Sequence, residues 1–159
     1  MPNGDAGRKP FQYVTIVTVI SVALILLNGV LAFSEIAIVS ARKARLQTRA
    51  NEGDKGARAA LELSMKPTGF LSTVQVGITA VGVLAGAFGG ATIAEQLAAW
   101  FDSFPQLVQY SEALAVTVVV FVITYLSLIL GELVPKRLAL NNPEKVAASV
   151  ARPMQILAW

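Results

Sequence analysis

Neither cysteine nor histidine occurs in the 159 residues. Their absence excludes disulfides, thiolate or imidazole metal sites, and acid–base or nucleophilic mechanisms built on those groups. Any metal site must use oxygen ligands, which suit hard cations such as Mg²⁺, Ca²⁺ or Na⁺. No nucleophile–base pair or phosphate-binding loop can be traced, so no catalytic residue is expected and an enzyme is the least favoured reading. Charge is scarce as well: 14% of residues are charged against 55% hydrophobic, too apolar for an ordinary soluble domain. The scarcity has a pattern. Residues 10–34, 67–94 and 113–131 contain no Asp, Glu, Lys or Arg, and each run supplies the roughly 17–25 residues that a membrane-spanning helix needs.

Three spans follow, at about 11–40, 68–100 and 112–132. The first is too long for a signal-peptide core and runs on into Glu35 and a basic segment, which argues against a cleaved leader. The net charge of +3 reports topology, not nucleic-acid binding. Arg42, Lys43, Arg45, Arg49, Lys55, Arg58 and Lys66 all lie between the first two spans, whereas the second connection carries Asp102 and Glu112 and no cation. The positive-inside rule puts the first loop in the cytoplasm, the N-terminus outside and the C-terminus inside, as expected for a multi-pass protein of the cell's inner (plasma) membrane.

The expected fold is therefore all-α. A disordered leader (1–10) precedes a first helix extending from about 11 to about 50. Segment 41–66 is a cytoplasmic helical hairpin with a turn at Asn51-Glu52-Gly53-Asp54. The second span starts at Pro67-Thr68-Gly69; Gly89-Gly90 is expected to break it, leaving a short piece up to Phe101. The third span should end near Gly131-Glu132-Leu133-Val134-Pro135, because a residue before proline is biased away from helix. Asn142-Pro143-Glu144 then starts a juxtamembrane amphipathic helix (143–159), with Val146, Val150, Met154 and Leu157 at helical spacing. No stop signal follows Trp159, so the chain is expected to be a fragment of a longer protein.

Polar residues inside the spans locate the chemistry. Ser21, Asn28 and Glu35 repeat at heptad spacing on the first helix, Thr117, Thr124 and Gly131 on the third, and Gln75 and Thr79 stand one turn apart on the second. Gly82, Gly86 and Gly90 form a small-residue stripe that reads as helix or protomer packing, with a cavity-lining segment as the other reading. A carboxylate at bilayer depth costs about 2.5–3.5 kcal/mol and is retained mostly where it has a partner or a function. Glu35 and Glu132 both fall towards the cytoplasmic ends of antiparallel spans. No Lys or Arg occurs inside a span, so the partner is a bound cation, a proton, a basic side chain at the cytoplasmic end such as Lys136, or water. Glu132, carbonyls around Gly131, Asn28, and Ser34 or Thr79 are candidate oxygen ligands. Glu35 reads equally as a ligand or as a group orienting the end of the first helix through Arg42, Lys136 or Arg137.

The segments Asn28-Gly29-Val30-Leu31-Ala32-Phe33-Ser34-Glu35-Ile36-Ala37, Gln75-Val76-Gly77-Ile78-Thr79 and Gly131-Glu132-Leu133-Val134-Pro135-Lys136 resemble the transmembrane domain of the CorC/CNNM (hemolysin-related) family. The resemblance covers residues 11–159. It implies a homodimer of three-span protomers continuing into cytosolic CBS-pair domains, with Mg²⁺ transport, generally efflux, as the activity. It also implies an ion held by polar groups of the first helix, an Asn of the second and the Gly-Glu of the third. Asn28, Gly131 and Glu132 match. Ala32 stands where many members have Ser, and Ile78 where many have Asn, with Ser34, Gln75 and Thr79 as possible substitutes and Glu35 as a further candidate. The leading expectation is divalent cation transport, Mg²⁺ efflux first, with Na⁺ as a coupling ion. The alternatives are an anchoring, dimerising or sensing domain for cytosolic regulatory domains, and export of another cation such as a polyamine.

Overall fold

The computed structural model describes residues 8–158. No strand occurs among them; seven α-helices follow one another, interrupted by a 3₁₀ turn and a π-turn. They are α1 (Arg8–Ser40), α2 (Lys43–Asn51), α3 (Lys55–Met65), α4 (Pro67–Phe101), the 3₁₀ turn Val108–Tyr110, α5 (Ser111–Leu128), the π-turn Ile129–Leu133, α6 (Val134–Asn141) and α7 (Pro143–Ala158). Three segments are long and apolar enough to cross a membrane: Gln12–Ser40, Pro67–Phe101 and Val108–Asn141. This is an all-α membrane domain.

Four boundaries differ from those expected. Arg8 to Pro10 already belong to α1, which fits the tolerance of a first helical turn for proline; the rest of the expected leader, 1–7, lies outside the described residues. The first helix stops at Ser40 and does not reach 50. Arg42 is extended (φ −73°, ψ 114°) and α2 restarts at Lys43, a change of direction that brings Leu46 to 0% exposure in the core. The second span continues unbroken through Gly89-Gly90 to Phe101. Two glycines disfavour a helix by about 1 kcal/mol each, less than the several kcal/mol of leaving backbone groups unsatisfied in hydrocarbon. Finally, the third span does not end before Pro135. Val134 is helical (φ −63°, ψ −50°) and its N–H donates to the carbonyl of Ile129, five residues back. The π-turn absorbs the proline by widening one turn in place of a stop.

Glycine and aspartate shape the turn between α2 and α3. Gly53 has φ +94°, a left-handed conformation that a side chain would strain. Asp54 caps α3, its Oδ1 accepting from the N–H groups of Gly56 at 2.9 Å and Ala57 at 3.0 Å, and its Oδ2 from Arg49 at 2.7 Å. The Ala57 N–H foremost, with Arg49 and Gly56, holds the Asp54 carboxyl below the usual carboxylate range.

Within the spans, α4 packs on both α1 and α5, while the later half of α1 packs on the π-turn, α6 and α7. The main core gathers at this end, where Ile38, Ala41, Leu46, Ala60, Phe70, Ala139, Ala147, Ala151 and Met154 are buried together. The stripe of α7 that faces α3 and this core is Ala147, Ala148, Ala151 and Met154, one position away from Val146 and Val150, which are half-buried at its rim; Leu157 is exposed. Trp159 lies outside the described residues.

A polar cleft between the spans

Proline determines how the site begins. In a regular helix the carbonyl of Gly131 would accept the N–H of residue 135, but Pro135 has none. A side chain from another helix uses that carbonyl instead: Asn28 of α1 donates through Nδ2 to Gly131 O at 3.3 Å, a buried contact. Because a carbonyl can only accept, the amide must point its nitrogen there, and Asn28 Oδ1 faces the other way. That oxygen is buried without a hydrogen-bond partner. Gly131 permits the approach. A β-carbon on it would lie 3.0 Å from Asn28 Nδ2 and 3.4 Å from Ile25 O, and one on Gly29 would lie 3.1 Å from the Pro135 ring.

Beside this contact is a cleft of about 300 Å³. From α1 it is lined by Asn28, and from α4 by Ile78, Gly82 and Gly86. Ile123, Thr124, Ser127 and Leu128 of α5 form a further wall, and Glu132 on the π-turn supplies its carboxylate. A β-carbon on Gly82 or Gly86 would meet nothing within 4 Å, so within the protomer these glycines leave room and are not packing surfaces. The walls are thus mainly hydrocarbon and backbone, with one carboxylate, one amide and two hydroxyls. Glu132 is 39% exposed and accepts a hydrogen bond from Lys136 Nζ, one turn further along.

The remaining residues singled out in the sequence do not reach the cleft. Ser34 is fully buried and donates to Val30 O of its own helix at 2.7 Å. Thr79 donates to Gln75 O at 2.9 Å, and Gln75 Nε2 lies 3.5 Å from Glu35 Oε1. Glu35 forms no ion pair among the described residues; the basic partners expected for it, Arg42, Lys136 and Arg137, are replaced by Gln75. Ala32 is fully buried, whereas Ile78 places a hydrocarbon side chain on the cleft wall. Ile123, Ser127 and Leu128 escaped the sequence reading. A signal for Ser127 was present, because Thr124, Ser127 and Gly131 recur at i, i+3 and i+7, a small-residue face of one helix.

The sequence profile of the cyclin M transmembrane N-terminal domain matches residues 19–159. The chain belongs to the cyclin M (CNNM) transmembrane domain family. Its relatives agree with that assignment. A UPF0053 protein of Synechocystis is 52% identical over 135 residues, covering 85% of this chain. A polyamine export protein of Haemophilus influenzae is 35% identical over 130 residues, 81% of the chain, and a UPF0053 protein of Bacillus subtilis is 31% identical over 140 residues, 88% of the chain. The alignments span 30%, 30% and 32% of those relatives. As a cyclin M domain, the chain thus corresponds to about a third of each of these proteins.

Proposed function

We propose that this domain carries a cation across the membrane and that the cleft at Asn28 and Glu132 is its binding site. The observation that carries the reading is the unpartnered Asn28 Oδ1, buried beside the same cleft that receives the Glu132 carboxylate. A buried acceptor without a donor costs about 1–3 kcal/mol, and a cation satisfies it while neutralising Glu132. Thr124 and Ser127 supply two further oxygens. Lys136 balances Glu132 in the absence of cargo, so binding exchanges one cation for another and leaves no bare carboxylate at bilayer depth.

Mg²⁺, moved outward and coupled to Na⁺, is the first candidate. It holds its waters tightly and is commonly bound through few protein oxygens, which suits a cleft with one carboxylate. In this reading the domain works as a homodimer in the plasma membrane, N-terminus outside and C-terminus cytoplasmic, ahead of cytosolic CBS-pair domains. An alkylammonium such as a polyamine is the second reading. Ile78, Ile123 and Leu128 offer methylene-compatible walls, Lys136 already places a primary ammonium on Glu132, and one relative bears the name polyamine export protein.

Calorimetry on the purified protein tests both. Mg²⁺ binding should weaken at least about tenfold, roughly 1.4 kcal/mol, in Glu132→Gln. Unchanged binding in that variant overturns the site. A polyamine that binds in a Glu132-dependent way where Mg²⁺ does not selects the second reading.

A further inference from the structure

A second cleft, of about 480 Å³, opens on the same α4–α5 seam towards the other end of the spans. Glu95 and Asp102 of the α4 end and Glu112 of α5 line it, and no Lys or Arg does. These acids are not a chelating cluster, since among the described residues no group of three or more Asp or Glu is placed to hold a metal. A mouth of one charge sign instead concentrates cations from water. Along α4, Glu95 is about 13 Å from Gly86 in the Asn28–Glu132 cleft, at 1.5 Å per residue.

Between the two clefts Gly89 of α4 is buried, as are Ala85 and Ala94 along the same helix and Val119 and Ala115 of α5. There Ile123, which also lines the Glu132 cleft, lies against Gly89: a β-carbon on Gly89 would be 2.9 Å from Ile123 Cδ1 and 3.0 Å from Ser21 Oγ. Ser21 is 6% exposed and its hydroxyl has no hydrogen-bond partner. A serine in a helix can direct its hydroxyl to the carbonyl four residues back, as Ser34 does; Ser21 does not. It points an unused polar group into the barrier, two helical turns along α1 from the similarly unpartnered Asn28 Oδ1.

We propose that the two clefts are the ends of one cation path, that Ile123 seated on Gly89 is its closed barrier, and that the Ser21 hydroxyl is the polar station a small cation meets in crossing it. The proposal rests on the reading of the Asn28–Glu132 cleft as a cation site. Displacement of the Ile123 side chain opens the barrier at Gly89, because glycine offers no side chain behind it, and Ser21 then provides an oxygen where the route is otherwise hydrocarbon.

Flux and binding measured on the full-length protein in vesicles, with Mg²⁺ as the probe, separate the two ideas. Ser21→Ala, which removes one oxygen outside the Glu132 cleft, should lower flux at least about tenfold with the equilibrium Mg²⁺ affinity unchanged. Ile123→Ala should raise passive flux down a gradient. If both variants transport at the wild-type rate while Glu132→Gln abolishes binding, the path is wrong and the cation site stands; Mg²⁺ binding that survives Glu132→Gln removes the site on which the path rests. Ser21→Cys in the 159-residue chain gives a check that does not depend on transport, because these residues include no native cysteine. A small cationic thiol reagent should modify Cys at 21 at least about tenfold faster when combined with Ile123→Ala than alone; equal rates in the two backgrounds overturn the barrier assignment.

Discussion

At Gly131 one missing hydrogen and one missing carbon act together. The absent N–H of Pro135 leaves the carbonyl of Gly131 to Asn28, and the absent side chain of Gly131 lets Asn28 come close enough to use it. Gly131→Ala should separate these effects. Its methyl group would stand 3.0 Å from Asn28 Nδ2, so Asn28 must give way by a few tenths of an ångström, which strains a buried hydrogen bond already 3.3 Å long. The helix-propensity gain of about 1 kcal/mol from Gly to Ala opposes a loss of about 1–3 kcal/mol from overpacking and the weakened hydrogen bond. We expect lower thermal stability and weaker cation binding together. A variant as stable as wild type with unchanged binding would show that the Asn28–Gly131 contact does not hold the cleft in shape.

At the scale of elements, in the collar around the C-terminal end of α1 the contact between α3 and α7 is made largely by alanine and glycine, with Ile38, Leu46, Phe70 and Met154 filling the core around it. Gly56, in the first turn of α3, faces the backbone of α7: a β-carbon there would lie 2.2 Å from Ala148 O. That carbonyl belongs to helix backbone and cannot swing aside, so α3 and α7 must part. Gly56→Ala should therefore destabilise the protein by about 1–3 kcal/mol despite improving the helix propensity of α3, and a melting temperature at or above wild type in detergent would contradict this. The same collar shows why some elements were legible and others were not. Uncharged runs of adequate length announced the spans, and Pro67, Gly53 and Pro143 marked boundaries that the structure keeps, because each rests on local backbone chemistry. Helix continuity through Gly89 and past Pro135 was hidden, since it depends on hydrocarbon forbidding broken backbone. The packed stripe of α7 was hidden too: alanines signal a close helix–helix contact only when the partner's glycine is known to face them. In the cleft, Asn28, Gly131 and Glu132 stood out as polar or irregular positions within apolar runs. Ser34, Gln75 and Thr79 stood out equally, but Ser34 and Thr79 spend their hydroxyls on their own helices and Gln75 turns to Glu35.

Across the whole molecule, packing is unevenly shared among the spans. In their most apolar stretches 39% of the first is buried against 17% and 11% of the second and third, so α1 is the enclosed element and the outer faces of α4 and α5 meet lipid or a partner. Charge is equally uneven. The α2–α3 region carries Arg42, Lys43, Arg45, Arg49, Lys55, Arg58 and Lys66, while the α4–α5 connection carries only acids; by the positive-inside rule we propose that the α2–α3 region lies on the cytoplasmic side. The cation path needs this orientation, because it places the acidic cleft of Glu95, Asp102 and Glu112 on the outer face and the Lys136-paired Glu132 towards the cytoplasm. Exposed Ser103 and Glu52 report the two sides. In intact cells a membrane-impermeant thiol reagent should label Ser103→Cys directly and Glu52→Cys only after permeabilisation. The reverse pattern would put the basic collar outside and turn the acidic mouth inward, so that the direction proposed for the cation would have to be reversed along the same path.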